Sequence, residues 1–297
     1  MQESISDTQR DLYAAVEAFV RESPANRLEH IDGSLIFDAP LFGVADGDDP
    51  LFTEYKTIIG PYHLTPREVM EYALTEAPDT THQTMQPLRV FTWVLPVAEP
   101  TRRSNRRQDV APSERWAHTR YFGEKFNDAV RAFAVRWLRE AGLLALAPIA
   151  SPLFKTLMSD VDHAPSSTWS ERHALYAAGQ GTFSLNDGLI TPRGIAHRCG
   201  AVVTNWPLTI TPRRYATRTS NCLYLQAGRC GRCIKRCPVG AISTEGHDKL
   251  KCAEYVYGTL KPYSDAYHIS AIGCGLCQTG VPCESRIPPH KDAKQAT

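Results

Sequence analysis

The chain has 297 residues, a formal net charge of only +1 and a hydrophobic fraction of 42%, which is ample for a globular core in one or two domains. No stretch approaches the ~18 consecutive apolar residues that a membrane-spanning helix needs. The first ten residues carry neither the basic nor the apolar region of a secretory signal. We therefore expect a cytoplasmic protein with no membrane partner, in which clustered cysteines more often bind metal than form disulfides.

The first part of the chain alternates helical and strand patterns. Residues 7–21 repeat apolar side chains at helical spacing, with Asp7 as the expected cap. Thr65-Pro66-Arg67-Glu68 has the pattern of a capping box at a helix start. Residues 90–95 form an apolar run typical of a buried strand. Residues 99–116 are polar and arginine-rich, and we expect a loop there.

The strongest helical periodicity follows at 121–141, where Gly142 is the expected end. The later predicted elements are a helix at 170–178, a glycine-rich turn at 179–181, and strands near 189–190 and 201–205. Segment 206–221 contains two prolines and many turn formers. The pattern predicts an α+β fold, with an α/β domain over 1–215 and a small cysteine-rich domain over 216–297.

Eight of the nine cysteines follow residue 220, and their spacing carries the chemistry. The series is Cys222, then Cys230-x2-Cys233-x3-Cys237-Pro238, then Cys252, then Cys274-x2-Cys277-x5-Cys283. A Cys-x2-Cys-x3-Cys-Pro run is typical of bacterial ferredoxin-like domains, in which eight thiolates hold two [4Fe–4S] clusters. Zinc is the less favoured alternative, because zinc ribbons use Cys-x2-Cys pairs ~15–20 residues apart without that run.

The ferredoxin pattern divides the eight cysteines between two clusters, since the cysteine before the proline ligates the other cluster. The ligands predicted for cluster one are Cys222, Cys230, Cys233 and Cys283. The ligands predicted for cluster two are Cys237, Cys252, Cys274 and Cys277. Two departures affect cluster one: the usual first ligand position is occupied by Ala227, and five residues rather than three precede Cys283. A [3Fe–4S] cluster or an open iron position therefore stays an alternative for cluster one.

Charge is unevenly distributed around these cysteines. Residues 1–80 hold 16 acidic side chains against 5 basic ones, whereas nine basic and no acidic side chains lie between Asp187 and Glu245. Our preferred interpretation is that these cations lower the cost of burying an anionic cluster. The alternative is a docking face for an acidic electron donor or for nucleic acid. Cys199, the ninth cysteine, is interpreted as a small buried residue rather than a reactive thiol.

Together these features resemble a known family. Ser170-Glu171-Arg172-His173, Ala178-Gly179-Gln180-Gly181, Asn186, Leu189-Ile190 and the cysteine blocks resemble the epoxyqueuosine reductases, which are similar to the cores of reductive dehalogenases. The resemblance covers about residues 170–285. The cysteines are followed by only a short segment, so the chain looks like a short form without C-terminal helical repeats.

The resemblance implies a cobalamin-dependent iron–sulfur reductase. Such proteins bind cobalamin in a nitroreductase-like α/β domain beside a ferredoxin-like domain. Electrons would come from a low-potential ferredoxin or flavodoxin and would reduce a small organic or nucleoside substrate. By this resemblance Gly179 and Gly181 would lie near the corrin, and Asn186 would be a hydrogen-bond donor to it. A plain turn after the helix is the alternative for the two glycines.

The proton donor implied by the resemblance is missing at its usual place. The family's aspartate falls on Ala164 of this chain. The catalytic candidates are therefore Asp162 and His163, which lie close by, and Tyr121. Transfer RNA stays an open partner because of the basic stretch. Two further functions stay open: a cobalamin-free electron-transfer or redox-sensing protein, and a flavin-dependent reductase.

Overall fold

The computed structural model describes residues 6–76, 84–159 and 163–289, which form a mixed α+β structure. The helices of the first two hundred residues are α1 (Asp7–Glu22), α2 (Leu51–Ile58), α3 (Pro66–Thr75), α4 (Glu99–Arg106), α5 (Glu114–Glu140) and α6 (Glu171–Ala177). The strands of the same part are β1 (Leu41–Asp46), β2 (Arg89–Pro96), β3 (Ala145–Leu146), β4 (Thr156–Met158), β5 (Pro165–Ser167), β6 (Thr182–Phe183), β7 (Leu189–Ile190) and β8 (His197–Thr204).

A four-stranded antiparallel sheet with strand order β1-β2-β8-β3 forms the centre of this part. The register pairs Gly43 of β1 with Thr92 of β2, and Thr92 with Ala201 of β8. Two short hairpins, β4–β5 and β6–β7, lie outside this sheet. The strand predicted over 90–95 is thus confirmed as the buried inner strand β2.

Helices cover both faces of the sheet because successive side chains of a strand point to opposite sides. Phe91 and Trp93 of β2 join a core with α1 and α5. Val90 of the same strand joins a second core with α2, α3 and α6. The sheet is therefore the middle layer of three, as expected for β2, in which every residue after Arg89 is buried.

Capping residues explain where several helices begin. Thr65 and Glu68 form the predicted capping box at the start of α3, with each side chain bonded to the other residue's backbone. The predicted helix over 7–21 is confirmed as α1, but its N-cap is Ser6, whose side chain accepts a hydrogen bond from the Gln9 backbone.

The loop predicted over 99–116 is wrong. Residues Glu99–Arg106 form helix α4, and α5 already begins at Glu114 behind its N-cap Ser113. Pro100 stands in the first turn of α4, where a missing N–H costs nothing. Arginine is a good helix former, and α4 buries only the small polar side chains of Thr101 and Asn105. The polar composition of this segment therefore gave no apolar helical repeat, although the segment forms a helix with an exposed basic face.

The last part of the chain consists of short elements and turns. They are α7 (Leu223–Ala227), α8 (Arg232–Arg236), β9 (Ile242–Ser243), β10 (Gly246–His247), α9 (Lys249–Glu254), a π-helical turn (Tyr255–Thr259), α10 (Lys261–Ala266) and a 3₁₀ turn (Leu276–Gln278). β9 and β10 pair as a hairpin. Among the described residues, no helix combines the length and the apolar character needed to cross a bilayer.

Candidate functional site

The four cysteines predicted for cluster one line a single pocket. Cys222, Cys230, Cys233 and Cys283 line this pocket together with the apolar side chains of Ile190, Ile195 and Val281. Cys222 is buried at the N-terminal end of α7, whereas Ala227 is exposed at the other end of that helix. Cys222, at the start of α7, thus lines the pocket in place of a cysteine at position 227, where the ferredoxin pattern has its first ligand.

Two of the thiols in this pocket, those of Cys233 and Cys283, are costly to ionise without a cation. Burial raises the pKa of Cys233 to about 11, and the neighbouring Cys222 and Cys230 add to the shift. Burial raises the pKa of Cys283 to about 12, with the same neighbours contributing. Because metal ligands must be thiolates, iron binding here would displace protons and supply the missing positive charge.

The other four cysteines form a second, adjoining group. Burial raises the pKa of Cys274 to about 11, and Cys252 and Cys237 lie close enough to add to the shift. Burial also raises the pKa of Cys277, with contributions from Cys274, Cys252 and, across the group boundary, Cys233. Cys277 and Cys237 also pack in one cluster with Cys222, Cys233 and Cys283, so the division of the eight cysteines between two clusters stays a prediction.

The two Cys-x2-Cys blocks share one local structure. Gly231 follows Cys230 and Gly275 follows Cys274, and both glycines adopt left-handed backbone, with φ of 63° and 61°. The Arg232 N–H then lies 3.5 Å from the Cys230 sulfur, and Leu276 likewise directs its backbone N–H to Cys274. Such N–H···S contacts stabilise thiolates and tune cluster potentials.

Gly275 is required for a second reason. A Cβ atom at this position would stand 2.1 Å from the ring of Trp116 in α5. The second cysteine block is therefore pressed directly against the long helix of the α+β part.

Within residues 6–76, 84–159 and 163–289, no three His, Cys, Asp or Glu side chains meet around one point as ligands of a single metal ion. A [4Fe–4S] cluster does not require such a meeting, because each thiolate binds a different iron.

Arg236 joins the cysteine blocks to α4. It is buried, and its guanidinium donates to the carbonyls of Leu276 and Thr279 at 3.3 and 3.0 Å, on either side of Cys277. The same group reaches Asp109 Oδ1 at 3.0 Å and the Asn105 carbonyl at 3.2 Å. The planar guanidinium of an arginine can donate hydrogen bonds to several acceptors at once in a fixed geometry, which the ammonium of a lysine would do less well. The basic residue just before Cys237 therefore fixes the segment that carries Cys277.

Glu284 anchors the end of the last cysteine block. Its buried carboxylate receives Arg106 at 2.7 to 2.9 Å and the Gly280 backbone N–H at 2.7 Å. The backbone just before β8 adds two hydrogen bonds, from the Ile195 N–H to the Cys283 carbonyl and from the Ala196 N–H to the Glu284 carbonyl. Charge-assisted, bidentate contacts of this kind hold a side chain in one geometry, so Cys283 has a fixed place.

Asn186 contacts the cysteine region directly. Its side-chain amide donates to the Cys277 carbonyl at 2.9 Å, while its oxygen accepts from Ser184 and from the Gly188 backbone. Asn186 also lines the pocket of Cys222. The predicted hydrogen-bond donor therefore lies where the two parts of the chain meet. Its contact with a corrin stays a prediction.

Backbone packing accounts for the two glycines of the Gly-x-Gly turn. A Cβ at Gly179 would meet the Pro212 carbonyl at 2.7 Å, and one at Gly181 would meet the Ile190 carbonyl at 2.6 Å. Gly179 also has a φ of 68°. The space that a side chain would need is thus filled by the chain itself, as in the alternative interpretation of a tight turn. These two positions present no open cradle, and their place near a cobalamin stays a prediction.

The three catalytic candidates have different surroundings. Asp162 lies outside the described residues. His163 is exposed beside β5, in left-handed backbone with a φ of 51°. Tyr121 lies on α5, where its hydroxyl accepts from Ser270 at 3.0 Å. A hydrogen bond from Lys125, followed by that from Ser270, lowers the pKa of Tyr121 below its ordinary value. Tyr121 also packs beside Cys274 in an apolar cluster.

Two polar pairs in this region are not singled out by the sequence, although Glu171 belongs to the Ser170-Glu171-Arg172-His173 motif. Arg131 of α5 is buried and binds both oxygens of Glu171 at 2.9 and 2.7 Å. Burial opposes the charge of Arg131, but the carboxylate of Glu171 raises its pKa above the ordinary value. The glutamate of Ser170-Glu171-Arg172-His173 therefore ties α5 to α6.

The second pair is His247 with Asp187. The imidazole Nδ1 lies 3.0 Å from the Asp187 carboxylate, and the ring also contacts Cys252. The hydrogen bond with Asp187, then that with Cys252, raises the pKa of His247 to about 9. A cation thus stands beside the second cysteine group.

Cys199 packs in a small apolar cluster with Val94, Leu175 and Leu189. Burial raises its pKa to about 12. A half-buried thiol of high pKa is a poor nucleophile, so the interpretation as a packing residue is favoured.

No family model and no curated protein matches the sequence. Solved structures of epoxyqueuosine reductases are similar to 95% of this chain, which spans 67% of their length, at a TM-score of 0.49 and 14–15% identity. They include a selenomethionine-labelled form, the Bacillus subtilis protein, and a complex with a modified tRNA stem loop. The structural neighbours of the chain are thus members of the family that its motifs resemble.

Proposed function

We propose that this chain is an iron–sulfur oxidoreductase that passes single electrons through two [4Fe–4S] clusters. The observation that carries the proposal is the convergence of Cys222, Cys230, Cys233 and Cys283 on one pocket, beside a second group of four cysteines. All four cysteines of the first group face the same space, which supports a complete [4Fe–4S] site over a [3Fe–4S] one.

The surroundings of the cysteines suit an anionic cluster. Arg236 and His247 place positive charge next to the second group, and backbone N–H groups are directed at Cys230, Cys237 and Cys274. Both features stabilise thiolates and shift cluster potentials upward. Two adjoining clusters would form a path for electrons. Cys277 of the second group lies near Cys233 of the first, so electrons would pass from one cluster to the other at this point.

The acceptor that we propose is cobalamin, on the strength of the resemblance in the sequence motifs. When bound, cobalamin supplies reductive chemistry at low potential. Through its hydrogen bond to the Cys277 carbonyl, Asn186 would hold the second cysteine block in a fixed position against the α+β part of the chain. Tyr121, with its pKa lowered by Lys125, would hold the proton that a reduced substrate takes up. The substrate class is a small organic compound or a nucleoside in tRNA.

The test is a metal count on protein purified without oxygen from cobalamin-fed cells. We expect about eight irons and eight sulfides per chain, with about one cobalt. Iron without cobalt would leave the two-cluster oxidoreductase standing and remove the cobalamin part. A chain with zinc in place of iron would overturn the whole proposal.

The alternative supported by a specific observation is a plain electron carrier or redox sensor. Its support is that the structure closes Gly179 and Gly181 against the chain's own backbone. Absorption spectra of the purified chain separate the alternatives, because corrin, flavin and iron–sulfur chromophores absorb differently. A protein that shows the iron–sulfur bands alone would favour the carrier.

A further inference from the structure

A basic groove runs along the surface beside the first cysteine group. It is lined by four cations and one acidic side chain, namely Arg106, Arg232, Lys235, Arg286 and Glu284. Glu284 is buried and neutralised by Arg106. The charge that the groove presents to solvent is therefore positive, and Arg232, Lys235 and Arg286 are exposed.

The groove lies directly over a proposed cluster ligand. Cys230 lines both the groove and the pocket that it shares with Cys222, Cys233 and Cys283. Cys230 is exposed, whereas the other proposed ligands are buried or half-buried. An electron from outside would thus meet the least protein between solvent and iron at the floor of this groove.

We propose that the groove is the docking site of an acidic one-electron carrier protein, which delivers electrons to cluster one through the Cys230 edge. This rests on the proposed function. In each encounter the carrier is oxidised by one electron and cluster one is reduced by one, and no covalent bond forms or breaks. Complementary charge brings such a partner to the groove faster and in one orientation.

The same cations would also attract nucleic acid, but two observations favour a protein carrier. The residues that line the groove include no aromatic side chain on which a base could stack. The floor is a cysteine of the proposed cluster, whose exposure has a use in electron transfer and none in binding phosphate.

The experiment follows reduction of the iron-loaded protein by photoreduced flavodoxin, an acidic carrier, in an anaerobic stopped-flow instrument. The test variant is Arg232→Glu with Lys235→Glu. The matched control is Arg21→Glu with Arg136→Glu, which changes the charge equally at exposed side chains of α1 and α5. We expect the second-order rate to fall 10- to 100-fold in the test variant, with a weaker salt dependence, and to stay within twofold in the control.

Two further measurements separate the possible failures. Photoreduced deazariboflavin, a small neutral reductant, should reduce both variants at the rate of the parent protein, and both should keep the parent's iron content. Loss of iron in the parent protein itself would defeat the proposed function. Full iron with an unchanged flavodoxin rate in the test variant would defeat the docking site alone. Binding of a fluorescent RNA stem loop that disappears in that variant while the flavodoxin rate stays unchanged would overturn the proposal in favour of RNA.

Discussion

The side-chain amide of Asn186 donates a hydrogen bond of 2.9 Å to the backbone carbonyl of Cys277. The bond joins the turn after β6 to the cysteine block that follows the last helix. Asn186→Asp keeps the oxygen that accepts from Ser184 and Gly188, but it loses the donor and adds a negative charge. We expect a loss of about 1–3 kcal/mol in the free energy of unfolding.

Chemical denaturation followed by circular dichroism measures this loss, with Gln226→Glu as a control. Gln226 is exposed, and its side-chain amide donates to the nearby Thr217 and Thr219. Equal stability of Asn186→Asp and the parent would show that the bond does not join the two parts of the chain.

Removing one ligand of a single group should affect that group. We expect Cys252→Ser to reduce the iron content from about eight to about four per chain, because a serine oxygen is a poor substitute for a cluster thiolate. Cys199→Ser is the matched control and should keep all the iron, since Cys199 packs among Val94, Leu175 and Leu189. Iron analysis and electron paramagnetic resonance of the reduced protein give the answer. Complete iron in Cys252→Ser would remove Cys252 from the ligands.

Arg106 contacts two acidic side chains of different exposure, which allows a paired test. Glu284 is 6% exposed and lies 2.7 Å away, whereas Glu99 is 48% exposed and lies 3.7 Å away. Glu284→Gln should lower the free energy of unfolding by about 1–3 kcal/mol, because the Arg106 guanidinium loses its buried carboxylate partner. The loss is limited because Arg106 itself stays partly in water. Glu99→Gln should cost less than about 1 kcal/mol. Equal costs for the two changes would contradict this role of Glu284.

Buried histidines should make the fold acid-sensitive. Burial lowers the pKa of His63 to about 4 and that of His173 to about 3, with nearby cations contributing. Above pH 6.5 these histidines are neutral in both states and have no effect. As the pH falls from 6.5 towards 4, the unfolded chain takes up protons that the folded chain refuses, so stability decreases by up to ~1.4 kcal/mol per pH unit for each histidine.

His63→Phe tests this slope, because the ring of His63 stacks on Trp169 and a phenyl ring keeps that contact without titrating. Unfolding free energies between pH 7 and pH 4.5 should fall less steeply in the variant than in the parent protein. Identical slopes would show that His63 does not resist protonation in the fold.

The elements that the sequence predicted well are those with an apolar repeat. The helix predicted over 121–141 is the C-terminal part of α5, which buries its apolar residues in the core with α1. The strand over 90–95 is most of β2, whose apolar residues divide between the two cores. The start of α5 at Glu114 was missed, since Ser113 caps a first turn that follows a polar segment. Helix α4 was missed because its buried side chains, Thr101 and Asn105, are themselves polar.

The candidate site was predictable where spacing dictates geometry. Cysteines two residues apart stay together in the fold because the chain between them is short, as in Cys230-Gly231-Arg232-Cys233. The assignment of the more distant Cys283 to the same cluster stays a prediction. The contacts that fix the cysteines were not predictable, because they join residues distant in sequence. Arg236 meets Asp109, and Arg106 meets Glu284, across more than a hundred positions. An arginine-rich sequence indicates positive charge, but the carboxylate that each guanidinium binds depends on the fold.

Cys222 and Cys283 are separated by about 60 residues of chain and still line one pocket. A group bonded to both would close that stretch into a ring. By the entropy that a disulfide removes from an unfolded chain, a ring of this size is worth about 4 kcal/mol. With the proposed clusters bound, loss of iron and unfolding of the segment between Cys222 and Cys283 are therefore expected to be a single cooperative event.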